Sequence, residues 1–190
     1  MTGQRVKLAI LLGGLIASGL VLVGWTQSWF ALELSSGPSL AVTGDVAAGG
    51  LAALALSGLA LGAALAIAGP VFRVILGALE VAIGGLVTLS AALAITDPVR
   101  ASLTAITAAT GESGEESARQ LVSEVTATPW PALALALGVV LALLGLLVVI
   151  TSRRWPLSSR KYQAARLEPA ESERSAVGDW DALSDGRDPT

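Results

Sequence analysis

The sequence predicts an all-α integral membrane protein with four transmembrane helices in an antiparallel bundle, and three observations carry that prediction. Of 190 residues, 53% are hydrophobic and only 14% charged, whereas a soluble domain carries about a quarter charged residues. The apolar residues gather into four long runs, at about 8–24, 46–68, 71–95 and 131–151. Lysine and arginine near the ends of those runs fall almost entirely on one side.

The first run, from about Leu8 to Gly24, follows Arg5 and Lys7 and precedes Trp25 and Trp29. It is long enough to span a bilayer. A cleaved signal peptide is the competing assignment, but the run exceeds a usual h-region and Gly24-Trp25-Thr26-Gln27-Ser28 lacks an A-x-A pattern, which favours a retained helix. The second run extends from about Val46 to Ala68, with Thr43 or Asp45 placed to cap its first amides. Gly69-Pro70 ends it, and the third run begins at about Val71 and reaches Ile95 before Thr96-Asp97-Pro98. So short a link requires a helical hairpin. The fourth runs from Pro131 to about Thr151, bracketed by Trp130 and Trp155 as expected of rings at two headgroup levels. Residues 1–155 thus form a membrane domain.

Orientation follows from the basic residues. Arg5, Lys7, Arg73, Arg153, Arg154, Arg160, Lys161 and Arg166 lie on one side, and Arg100 and Arg119 on the other, eight against two. The basic side is cytoplasmic, so a multi-pass plasma-membrane protein with both termini inside is expected. Trp25, Trp29, Phe30 and Trp130 then fall at the outer interface.

Two longer connections face outward. In the first, Trp29-Phe30-Ala31-Leu32-Glu33-Leu34 leads through Ser36-Gly37-Pro38 to Ser39-Leu40-Ala41-Val42, a pattern that fits a short β-hairpin. It equally fits an irregular loop with Trp29 and Phe30 at the headgroups, because a lone hairpin is marginal. The second holds the flexible acidic stretch Gly111-Glu112-Ser113-Gly114. Residues 116–125 follow, with Leu121, Val122 and Val125 positioned for an amphipathic surface helix; a solvated linker is the alternative, and the acidic residues are a solvated face rather than a cation site.

After Trp155-Pro156 the composition turns to Ser, Arg, Glu, Pro and Asp with almost no apolar periodicity, so 156–190 is expected to be a disordered cytoplasmic tail. Its basic start enforces topology. Near its end, Trp180 and Leu183 form an apolar pair in a polar segment that closes with Asp188-Pro189-Thr190, and such a pair can anchor in a partner's groove.

Chemistry is sparse. With no Cys and no His, disulfides, thiolate nucleophiles, Cys/His zinc sites and Ser-His-Asp triads are excluded. No catalytic residue, metal or cofactor is assigned, no enzymatic activity is expected, and nothing directs the chain to nucleic acid. The one charge deep in an apolar run is Glu80, about 13 Å beyond Val71 at the helical rise. An ionised carboxylate there is costly, so it needs a proton, a hydrogen bond across helices or a water-filled cavity. It marks either a proton or substrate pathway or a structural polar contact. Arg73, on nearly the same face, lies about 10 Å away along the axis, and its stem is expected to snorkel toward the cytoplasm rather than pair directly. Gly58 and Gly62, Gly14 with Ser18, and Gly77 with Ala78, Gly84 and Gly85 offer small faces, suited to packing within the chain or to a homo-oligomer.

Three segments together resemble one family, the tryptophan-associated transmembrane proteins of high-GC Gram-positive bacteria. They are Ser28-Trp29-Phe30 to Val42-Thr43-Gly44, the small-rich second run leading through Gly69-Pro70 to Arg73, and Trp180-Asp181-Ala182-Leu183-Ser184-Asp185-Gly186-Arg187-Asp188-Pro189-Thr190. The family's last segment typically reads W-D-A-L-S-R-G-E-D-P-T, so Asp185 and Arg187 exchange the charges at two positions. The resemblance covers nearly the whole chain. It implies a link to tryptophan biosynthesis and supplies no catalytic residues. Two functions are therefore expected to compete: an accessory membrane protein that docks a cytoplasmic or membrane partner through its tail, and an oligomeric transporter component for tryptophan or a related aromatic metabolite.

Overall fold

Backbone amides and carbonyls in an apolar run have no partner in lipid except one another, which forces such runs into helices. The computed structural model describes residues 3–35 and 37–152. Helix α1 (Gly3–Trp25) leads to strands β1 (Ser28–Leu34) and β2 (Leu40–Thr43). A single turn α2 (Gly44–Ala47) precedes the helices α3 (Leu51–Ile67) and α4 (Pro70–Thr96). Three short helices follow, α5 (Pro98–Ala101), α6 (Leu103–Thr110) and α7 (Glu115–Leu121), then β3 (Val122–Ala127) and α8 (Trp130–Thr151).

The helices Gln4–Trp25, Pro70–Thr96 and Trp130–Thr151 are long and apolar enough to cross a membrane; Leu51–Ile67 is equally apolar but has 17 residues. That helix begins at Leu51 rather than at Val46, because Ala48 leaves helical geometry and Gly49-Gly50 follow it. Neither expected cap forms: Thr43 stands at the N-cap of α2 without a side-chain hydrogen bond.

Pairings of α1 with α3, α3 with α4, α4 with α8 and α8 with α1 close a ring, with α1 and α4 across its diagonal. Buried positions on α4 are Arg73, Gly77, Glu80, Gly84, Val87, Ala91 and Ala94, and on α8 Pro131, Ala134, Gly138, Leu141, Gly145 and Val148. Both rows alternate steps of three and four, the seam of a left-handed, coiled-coil-like packing. The two helices run antiparallel and touch backbone to backbone. A Cβ on Gly84 would sit 2.6 Å from the Gly138 carbonyl oxygen and collide with the Ala142 backbone nitrogen; one on Gly145 would meet the Gly77 oxygen at 2.7 Å. Large side chains on the opposite faces, Ile16, Val71, Phe72 and Leu143 among them, are exposed, as on helices whose outer solvent is lipid.

The all-α expectation needs correction at one end of this bundle, where the strands form an antiparallel sheet in the order β2-β1-β3. Ala31 faces Ala41 on one side and Thr126 on the other; Leu32 faces Leu40 and Val125. The hairpin is thus formed and joined by a third strand. Residues 122–125, expected to continue a surface helix, lie in that third strand, and the helix stops at Leu121. Val122, Val125 and Thr126 are β-branched and suit a strand, and the edge of β1 gives their amides partners that a solvated helix end would lack. We call this sheet with α2 and α5–α7 the cap.

Trp29, Phe30, Leu32, Val42 and Ile106 are all at most 1% exposed and form the cap's core together with residues at the adjoining helix ends. Trp29 and Phe30 are therefore not headgroup anchors, as an irregular loop would have made them. Trp29 Nε1 donates to the Gly24 carbonyl at 2.8 Å, and its ring meets Phe30 edge to face at 6.4 Å. Gly44 is what lets β2 reach this ring, since a Cβ there would lie 2.6 Å from Trp29 Nε1 and 2.7 Å from the Trp25 carbonyl oxygen. Trp25 and Trp130 are half-buried.

Candidate functional site

Glu80 is the one carboxylate inside the bundle among the described residues, and it is 3% exposed. It projects from α4 across the diagonal of the ring. Its Oε1 lies 3.0 Å from where a Cβ on Gly14 of α1 would be, and its own Cβ lies 3.0 Å from that position on Gly145 of α8. Two glycines on two helices therefore make the space that the side chain fills. Among the described residues no hydrogen bond or ion pair reaches its carboxylate, and none links it to Arg73.

One turn along α1 from Gly14 is Ser18, fully buried, whose hydroxyl has no partner among the described residues. It presses on α3, where a Cβ at Gly58 would be 2.5 Å from Ser18 Oγ. The small faces of Gly14, Ser18, Gly58, Gly77 and Gly84 are thus used for packing within the chain. Sequence spacing could pair Gly14 with Ser18, but not set Gly14 against Glu80 and Ser18 against Gly58.

At the end of the bundle away from the cap, Lys7 Nζ donates to the Ala66 carbonyl at 2.9 Å, tying α1 to the end of α3. Arg73 lies within Coulombic reach of Lys7 and is 2% exposed. Its position belongs to the buried row that α4 turns to the other helices.

The cap holds the other charged arrangement. Arg119 Nη2 donates to Asp97 at 2.5 Å and to Glu115 at 2.7 Å, which fastens α7 to the end of α4. The Arg100 backbone N–H, 3.1 Å from Asp97 Oδ1, holds the Asp97 carboxyl below its ordinary range, with Arg119 adding to the effect and burial opposing it. Glu115 and Asp97 in turn hold Arg119 more firmly protonated. Among the described residues, no group of three His, Cys, Asp or Glu side chains could hold a metal ion.

Between the hairpin tip and the α6–α7 corner lies a cleft of about 390 Å³ with walls from Leu34, Pro38, Leu40, Ala109 and Leu121. Sequence reasoning missed it, because its two sides are separated by about seventy residues. The tail residues Trp180, Leu183, Asp188 and Pro189, and all of 156–190, lie outside the described residues.

Apolar helices too long and too greasy for water, joined through glycine seams and carrying a small mixed cap, define an integral membrane protein. The chain belongs to the tryptophan-associated transmembrane protein family, whose model matches residues 8–190 and so extends through the Trp180–Thr190 segment. No curated protein and no solved structure matches it.

Proposed function

We propose that this protein is a non-enzymatic accessory component of the plasma membrane, serving tryptophan biosynthesis by docking a cytoplasmic or membrane partner through its C-terminal segment. In this reading all four helices cross the bilayer. Leu51–Ile67 rises about 25 Å at helical geometry, at the lower limit for a span, and its place in the ring between α1 and α4 supports the crossing. Both termini are cytoplasmic by the positive-inside rule, so the cap stands outside.

The observation that carries the accessory reading is the closed α4–α8 seam, where Gly84 and Gly138 bring two backbones into contact. A bundle packed in this way suits an anchor that holds a cap and two cytoplasmic ends in fixed relation. The test is deletion of residues 170–190 from the full-length protein. Loss of a partner that co-purifies with the intact chain is expected, and unchanged recovery would sink the reading.

A second reading, an oligomeric transporter component for tryptophan or a related aromatic metabolite, is favoured by Glu80 alone. A carboxylate crossing the bundle diagonal to Gly14, with no donor among the described residues, is costly unless it handles a proton or a polar substrate group. Uptake of tryptophan into proteoliposomes should then fall for Glu80→Gln. Identical uptake for both proteins removes the carboxylate from any such role.

A further inference from the structure

The cleft in the cap has the features of a small-molecule site, and these do not depend on the reading of the tail or of Glu80. It is concave and preformed. Ser35 donates from both its backbone nitrogen, at 2.9 Å, and its hydroxyl, at 3.1 Å, to the Leu121 carbonyl, pinning the hairpin to the end of α7. Ser123 Oγ donates to the Glu33 carbonyl at 3.0 Å and holds the neighbouring strands in register. On the opposite wall, Thr110 Oγ1 donates to the Ile106 carbonyl at 2.8 Å and accepts from the Glu112 backbone nitrogen at 3.2 Å, fixing the turn that carries Glu112.

The lining dictates the ligand. Leu34, Leu40, Leu121, Pro38 and Ala109 offer apolar walls, and a volume of about 390 Å³ is of the size that accepts small organic molecules. Glu112 is the one ionisable residue lining the cleft among the described residues. An anionic ligand would meet that carboxylate without a compensating cation in the lining, whereas an ammonium would pair with it while its apolar body covers the leucines. We infer that the cleft between the hairpin tip and the α6–α7 corner binds a small amphipathic amine, its apolar body against Leu34, Leu40 and Leu121 and its cation at Glu112.

The probe is 2-phenylethylamine, titrated calorimetrically into the full-length protein in lipid nanodiscs, with empty nanodiscs as the blank. Neutral 2-phenylethanol and anionic 3-phenylpropanoate serve as matched comparisons. Saturable binding of the amine above the blank is expected, with the alcohol weaker and the acid not bound. Glu112→Gln should weaken the amine about fivefold, the scale of an exposed ion pair, and leave the alcohol unchanged. Ala109→Trp, which fills the cleft, should abolish binding of both. If Ala109→Trp does not fold, Glu112→Gln, at an exposed side chain, decides alone. Absence of saturable binding above the blank, equal binding of the acid, or an amine affinity indifferent to Glu112→Gln overturns the inference.

Discussion

The bundle and the cap belong to one chain but are held together by opposite means. In the bundle the closest approaches are between glycines, Gly77 with Gly145 and Gly84 with Gly138, and many bulky side chains point outward, although Leu65, Val87, Leu141 and Val148 are buried. In the cap the deepest residues are among the largest, Trp29, Phe30, Leu32 and Ile106. The difference teaches what each solvent allows. Lipid is as apolar as leucine, so burying a leucine between helices gains little and close backbone approach gains more. Water around the cap restores the ordinary hydrophobic gain, about 25 cal/mol per Å² of apolar surface, and a large aromatic core becomes worthwhile.

The largest effect expected from this contrast is at Trp29. Trp29→Ala removes a fully buried indole and its bond to Gly24 and should cost about 3–5 kcal/mol. Hydrogen exchange should show the strand amides of the cap losing protection while α4 and α8 keep theirs. Loss of protection in both regions together would mean that cap and bundle are one cooperative unit.

Next in size is the seam. Gly84→Ala drives a methyl into the Ala142 backbone and should cost about 1–3 kcal/mol, the usual range for overpacking, read as a lowered midpoint in detergent unfolding. Its control is Gly85→Ala on the neighbouring position, where a Cβ meets nothing within 4 Å. That change should be neutral or stabilising by up to about 1 kcal/mol, since alanine is the better helix former. Equal loss from both would show that the cost does not come from contact between α4 and α8, since helix propensity favours alanine at both positions.

The smallest effect is at the Asp97–Arg119–Glu115 clasp on the surface. Because the folded protein holds the Asp97 carboxyl below its ordinary range, the stability it contributes is complete above the unfolded carboxylate value and is lost as pH falls through the lowered folded value. The cap should therefore unfold at a lower temperature in acid, and Asp97→Asn should flatten that pH dependence without altering the bundle. An unchanged acid response in Asp97→Asn would assign it to other carboxylates.

Much of this architecture is legible from residue types alone. Continuous apolar runs have one backbone solution in lipid, so the helices near 8–24, 71–95 and 131–151 follow from hydropathy, and Gly69-Pro70 fixes the turn between α3 and α4. The break at Ala48-Gly49-Gly50 shortened the second run to Leu51–Ile67, although two adjacent glycines were a visible signal that helix entry would be delayed. Glu80 was legible as the one acid in an apolar run. The tertiary structure alone decided its surroundings, because Gly14 and Gly145 reach it from helices at opposite ends of the sequence. The same holds for β3, which is a strand because β1, about ninety residues earlier, offers an unpaired edge, and for the cleft that Ser35 and Leu121 close between them. Local sequence sets which segments must be helical, since lipid leaves the backbone no other partner. Which strand pairs with which edge, and what stands beside a buried carboxylate, depends on contacts between distant residues that no local pattern encodes.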